Sequence, residues 1–330
     1  MNDTSKKLFA LSKLRGVGPA TLHEMAKIPN INTASINELA HKNNKIMKAL
    51  NKSDTWDQAV FAADQELDSA SKSQSKIICT IEDDYPALLK AASDHPFFIF
   101  VRGTWHTHPE RSVAVIGTRQ PTDHGAKIAR RMTRYLVEDS WSIVSGLALG
   151  CDSIAHQVAL ENHGHTIAVL AHGLHTIAPK QNERLAKAII DKGGMLVTEY
   201  GFGIEPFASQ FVARDRIQAA LACGVIMIQS DRTGGSLHAS RASLKYGRLL
   251  ALPQATALDS ANNEKKIEAN LIISGTNIDE KTELLKCKVE DLNRVLIVRE
   301  KEDYPDLVKQ LEKYMIMTPS HQPISPLPNP

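Results

Sequence analysis

Between residues 111 and 275 the chain alternates short apolar runs with longer helix-forming stretches, and no other feature limits its fold so strongly. The runs are 112–117, 142–146, 166–170, 195–199, 224–229 and 248–252. The stretches between them are 125–139, 153–162, 181–191, 214–222 and 236–245. Each run is apolar at consecutive positions, so it must be covered on both faces, as strands of a parallel sheet are. Strand–helix alternation at this spacing predicts an α/β fold with a doubly wound, mostly parallel sheet of the extended Rossmann-like type.

The flanks are different. In residues 1–70, Leu8, Leu11 and Leu14, then Leu22, Met25 and Ala26, recur at helical spacing and predict a small helical module. Between them, Leu14-Arg15-Gly16-Val17-Gly18-Pro19 is a two-glycine turn. It resembles a helix-hairpin-helix, whose N–H groups can face a phosphate, and fits an ordinary interhelix turn equally well. Polar residues 51–75 read as a connector. Residues 71–280 form the expected core domain, entered through strands at 76–80 and 96–103. Phe97, Phe98 and Phe100 in the latter suit core packing better than base stacking. Residues 281–330 are expected to be a short C-terminal segment with a strand at 294–298, a helix at 303–314 and a proline-rich, disordered tail from 318.

Composition narrows the function. With 42% hydrophobic and 23% charged residues the chain has the balance of a folded protein. The net charge of +2 excludes a uniformly basic DNA-coating protein, so any anion site is local. The arginines are indeed local: residues 111–260 hold 11 Arg and 5 Lys, whereas residues 1–110 hold 2 Arg and 11 Lys. Arg presents a planar fork of donors that matches phosphate oxygens. Four scattered Cys without a C-x-x-C argue against a disulfide scaffold or a thiolate zinc site and suit a reducing, cytoplasmic setting. No apolar run approaches the ~20 residues that span a bilayer, and no apolar signal core opens the sequence, so neither membrane nor export is expected.

In a doubly wound sheet, ligands bind outside the carboxyl ends of the strands. After the first run come Gly117, Thr118 and Arg119, with a helix starting near 122–125 whose positive end is expected to face the same crevice. After the second come Ser145, Gly146, Leu147 and Ala148, a loop suited to holding phosphate through its N–H groups. Asp152 is placed to cap the following helix, and His156 could touch a ligand or fill a helix–sheet contact. After the third come Gly173, then Lys180 and Asn182 opening a helix. After the fourth, Arg214 and Arg216 are expected to point forward from a helix N-terminus. After the fifth, Gly234, Gly235 and Ser236 make a third cradle. Three glycine-bearing loops at successive strand ends are hard to explain by packing alone. Lys127, Arg130, Arg131 and Arg134 fall at i, i+3, i+4 and i+7, a basic stripe suited to a polyanion backbone.

No nucleophile with a base, no paired catalytic carboxylates and no Walker lysine is evident, so binding is expected rather than catalysis, with no cofactor. Five His between 156 and 175 lack the spacing of a metal site, and no metal is expected. Two readings stay open. The crevice could take single-stranded DNA, or it could take a nucleotide or nucleotide derivative as in a sensor or hydrolase.

In order along the chain, Val115-Ile116-Gly117-Thr118-Arg119 with Pro121-Thr122, Ser145-Gly146-Leu147-Ala148 with Gly150, Asp152 and Ala155-His156, 166–170, Gly235-Ser236-Leu237 and Asn270-Leu271-Ile272 resemble the motifs of the DprA/Smf DNA-processing family. The likeness covers residues 111–275. It implies a Rossmann-like core that binds and protects single-stranded DNA, forms a homodimer and assists a RecA-type recombinase in DNA uptake and recombination. By carry-over, Arg119, the 145–148 loop, Lys180 and the 234–236 loop would hold phosphates. The sequence departs from the family at Arg214-Asp215-Arg216, where Asn usually separates the two Arg. It also departs at Pro253-Gln254 and at Thr198-Glu199-Tyr200-Gly201, and by having Ala before Pro179.

Overall fold

The computed structural model describes residues 1–50 and 55–315. Nine segments are extended: β1 (Ser75–Cys79), β2 (Phe98–Gly103), β3 (Ser112–Ile116), β4 (Ser142–Ser145), β5 (Thr166–Val169), β6 (Met195–Thr198), β7 (Gly224–Met227), β8 (Leu249–Pro253) and β9 (Val295–Val298). They form one sheet in the order β1-β2-β6-β5-β4-β3-β7-β8-β9. The seven strands from β6 to β9 are parallel, with β3 registered to β4 through Val113↔Ile143 and to β7 through Val115↔Ile226. β1 and β2 add an antiparallel edge.

The apolar runs do what two-sided burial requires. In β3, Ala114 and Ile116 join a core with Ile217, Ala220 and Leu237 from helices Ala208–Ala220 and Ser236–Lys245. Val113 and Val115 point the other way, to Ala129, Met132 and Leu136 of helix Asp123–Glu138 and to Ala155 of helix Cys151–Glu161. The period of two along the strand thus divides one run between two helical layers.

A third core joins the N-terminal helices to the β1–β2 edge. Phe9 of helix Asp3–Ser12 meets Phe98 edge-on with centroids 5.0 Å apart and Phe100 at 6.3 Å, so the phenylalanines pack against protein. Most of the expected connector is instead helix Thr55–Lys72. Its fully buried positions are Ala59, Ala63 and Ala70, which an apolar-periodicity reading that weights large residues passes over. Residues 51–54 and the expected disordered tail lie outside the described residues. Residues 281–315 are integral to the core: β9 extends the sheet, and helix Tyr304–Glu312 packs Leu307 and Leu311 into the layer of helix Asp123–Glu138.

Candidate nucleic-acid interface

β3 has β4 on one side and β7 on the other, and the chain leaves these neighbours in opposite directions, which opens a crevice at the strand carboxyl ends. A cleft of about 690 Å³ occupies it. Loops after β3, β4, β5 and β7 line it, together with one face of helix Ala208–Ala220.

The β3 and β4 loops interlock. A Cβ on Gly117 would lie 2.6 Å from Cys151 Sγ, and one on Gly150 would lie 2.4 Å from the Arg119 carbonyl oxygen. Only glycine allows this approach, and Gly150 also has φ +79°. Thr118 N–H donates to Gln229 O at 2.8 Å, which fixes the β3 loop to the end of β7. Arg119 stands exposed on the rim, with no side-chain hydrogen bond or ion pair among the described residues. The helix start behind this loop does not face the cleft as expected. Thr122 caps it by accepting from Gly125 N–H, and Gln229 and Asp259 close over Thr122 Oγ1. None of Thr122 to Gly125 lines the crevice.

The β4 loop is built differently from expectation. The Gly146 and Ala148 N–H groups donate to Asp152 Oδ2 at 3.1 and 3.3 Å. Ser145 is fully buried and its hydroxyl donates to Val115 O at 2.7 Å, and Leu147 is fully buried. Burial pushes the Asp152 carboxyl up to about 6 even though Arg214 and the loop N–H groups favour its ionised form. Here desolvation outweighs a nearby cation. His156 is buried, with Nδ1 2.7 Å from Thr166 Oγ1, and burial drives its pKa down to about 3, so it is a neutral packing residue.

After β5, Gly173 is buried and donates to Ile204 O at 2.9 Å. Asn182 is buried too, donating to Leu147 O and Ser153 Oγ at 2.7 and 2.8 Å. Lys180 is exposed, next to the cleft-lining Ala178 and Pro179.

Arg214 and Arg216 sit inside helix Ala208–Ala220 rather than at its start, because the helix begins six residues before the expected 214. Arg214 is 3% exposed. Its guanidinium binds the Gly146 and Val169 carbonyls and Asp215, so it braces the β4 and β5 loops from below. Arg216 does not line the cleft and pairs with Glu199. The sequence reading missed what the cleft face of this helix carries, namely Phe211, Asp215 and Gln218 at i, i+4 and i+7, with exposed Phe207 just before the helix. That spacing was the available signal, but it needed the correct helix start.

After β7, Asp231 Oδ1 accepts from Thr233 N–H and Oγ1, forming a tight polar turn. A Cβ on Gly234 would meet Ser230 Oγ at 2.3 Å. The Gly235 and Ser236 N–H groups have no acceptor among the described residues, and they open helix Ser236–Lys245 at the cleft wall. This loop has the free donors that the β4 loop lacks at Gly146 and Ala148.

The basic stripe lies outside the cleft. Lys127, Arg130, Arg131 and Arg134 are all exposed, and Arg130 pairs with Glu161 at 3.4 Å. Arg131 and Arg134 line a shallow groove of about 340 Å³ with Lys301 and Tyr304, and with Glu138 and Glu302. Among the described residues no cluster of three metal-ligating side chains occurs, and no helix is long and apolar enough to cross a membrane.

The family model of DNA recombination-mediator protein A matches residues 76–285. Protein Smf of Escherichia coli is 38% identical over 170 residues, 51% of this chain and 46% of that protein, so the match spans about half of that relative. DNA processing protein DprA of Streptococcus pneumoniae is 35% identical over 202 residues, 60% of this chain and 71% of that one. The crystal structure of the Streptococcus pneumoniae protein superposes with a TM-score of 0.62 at 25% identity, covering 84% of this chain and 99% of that chain. The structure of DNA processing protein A from Helicobacter pylori, which concerns its single-stranded DNA binding mode, shares the fold with a TM-score of 0.56 at 24% identity, covering 74% and 98%.

Proposed function

This chain belongs to the DNA recombination-mediator protein A family, and from that premise we propose that it is a single-stranded DNA-binding protein of DNA processing, with the phosphates held along the rim of the cleft. One observation carries the reading: the unpaired Arg119 guanidinium and the free Gly235 and Ser236 N–H groups belong to loops that wall the same crevice at the switch point of the sheet. Guanidinium and helix-start N–H groups are the donors that phosphate oxygens take. Gly117, Thr118, Lys180 and Gly234 complete the proposed contact set. Ser145, Gly146, Leu147, Ala148, Gly173, Asn182 and Arg214 support those contacts from beneath, and Arg216 lies outside them. Phe207, 68% exposed, and Phe211 provide ring faces on which bases can stack with little sequence preference.

Among the described residues that line the cleft, no nucleophile is set against a base, which favours binding over catalysis. Homodimer formation, help to a RecA-type recombinase during DNA uptake, and a cytoplasmic setting are the further parts of this reading that family membership supports. The turn at Gly16–Gly18 and the Lys127–Arg134 stripe are proposed as secondary phosphate contacts. Anisotropy of a labelled oligonucleotide, followed as salt rises, tests the proposal. Several phosphate contacts require log Kd to rise linearly with log salt, with a slope of about 0.7 per contact. An affinity that does not respond to salt would rule it out.

A further inference from the structure

Residues 199–207, between β6 and helix Ala208–Ala220, form an irregular strap that ends at the cleft, where Ala208 is a lining residue. Gly203, Ile204 and Glu205 are exposed in a row, and Phe207 follows them, more exposed still. A strap with so little burial has few apolar contacts to fix its backbone, so its polar contacts decide how rigid it is. Two side chains from different parts of the fold supply them. Glu66, on helix Thr55–Lys72 of the N-terminal module, accepts from Phe202 N–H at 2.8 Å and pairs with Lys13 of the same module. A Cβ on Gly201 would collide with Glu66 Oε1, so glycine is what lets the carboxylate reach the strap. The Phe202 ring meets Phe100 of β2 edge-on at 6.1 Å. His175, in the loop after β5, takes the other end. Its Nδ1 accepts from Gly203 N–H at 3.2 Å, which leaves the ring proton on Nε2, and Nε2–H donates to Glu205 Oε1 at 3.0 Å.

Together these side chains hold the strap at residues 202, 203 and 205, the last of them two residues before Phe207. Neither side chain lines the cleft. A ring whose backbone is fixed before DNA arrives loses less freedom when a base stacks on it, and that saving appears as affinity. We propose that Glu66 and His175 are positioning residues, which hold the strap so that Phe207 stands ready at the cleft edge for base stacking. Through Glu66 the N-terminal module then acts on the DNA site indirectly, by way of the backbone that it anchors.

This inference rests on the single-stranded DNA reading, and its test separates the two. The full chain is titrated with labelled dT15 at several salt concentrations. Phe207→Ala is expected to weaken binding about tenfold, the value of one stacked base. Glu66→Ala and His175→Ala are each expected to weaken it about fivefold, with the plot of log Kd against log salt shifted in parallel, because the phosphate contacts on the rim are untouched. In the Phe207→Ala background the same two substitutions should cost less than about twofold, since the ring they position is gone, whereas a merely structural role would give the full loss in either background. Glu66→Gln keeps an acceptor for Phe202 N–H, and His175→Asn puts a carbonyl oxygen near the place of Nδ1, so both should stay within about twofold of the parent. His175 lies at the surface, so its variants are expected to fold and decide the matter even where Glu66→Ala does not. Parent affinity in any of the three alanine variants, losses that simply add to that of Phe207→Ala, or a reduced salt slope would overturn the positioning role and leave DNA binding intact. Failure of the parent chain to bind any oligonucleotide would overturn the DNA reading and the positioning role together.

Discussion

The loops after β4 and β7 look alike as sequence, each with two glycines and a serine beside the start of a helix. In the folded chain the β4 loop turns its Gly146 and Ala148 N–H groups onto the buried Asp152, and the β7 loop leaves those of Gly235 and Ser236, residues that line the cleft, without an acceptor among the described residues. One loop is scaffold and the other is contact surface. The lesson is that glycine content reports close backbone approach, while the nearest buried acceptor decides whether the N–H groups remain available.

Substitutions can break that contrast. Gly146→Ala puts a Cβ 2.6 Å from the Arg214 guanidinium, which is itself anchored to two carbonyls. It should destabilise the fold by about 3 kcal/mol, the upper range for overpacking, as a clear fall in denaturant midpoint. Gly235→Ala has no atom within 4 Å of the new Cβ and should stay within about 0.5 kcal/mol of the parent. Equal losses would erase the distinction between the loops. Next in size, Arg119→Ala should weaken oligonucleotide binding by about 2 kcal/mol with little change in the denaturant midpoint, since its exposed side chain makes no hydrogen bond or ion pair among the described residues. Gly235→Asp places a carboxylate beside the free N–H groups. It should weaken binding by about 1 kcal/mol at low salt, and by less as salt screens the charge.

The scaffold also has a pH signature. The Asp152 carboxyl titrates near 6 in the folded chain, well above the ~4 of an exposed aspartate, because burial disfavours its charge. A raised carboxyl pKa gives stability that is complete below about pH 4 and is lost as pH rises through 6. Asp152→Asn removes that loss. Its melting temperature relative to the parent should therefore rise between pH 4 and pH 7, and a flat difference would contradict the burial argument. The smallest effect is expected at the stripe. Replacing Lys127, Arg131 and Arg134 with Gln should lower the salt slope of binding by about 0.7 for each phosphate that these side chains hold, and leave it unchanged if the stripe is merely solvated.

Much of this architecture was legible in the chain. The nine strands of the described residues overlap the expected ones, and the six central strands fall on the apolar runs, because strands covered on both faces are largely apolar throughout. Helix Thr55–Lys72 escaped because its fully buried positions are alanines, too small to mark a face against polar neighbours. Helix Ala208–Ala220 was entered too late, which hid Phe211, Asp215 and Gln218 as one face and made Arg214 look like a surface clamp.

By itself, then, the sequence determined the layered α/β fold, the strand ends that carry the loops and the family motifs, since periodicity and local turn chemistry are properties of neighbouring residues. Tertiary structure alone decided which donors face the cleft. A hydrogen bond from Arg214 to the Gly146 or Val169 carbonyl, 68 and 45 residues away, depends on which strand ends lie beside its helix. It also depends on the cost of leaving a buried polar group unpaired, which no local pattern records.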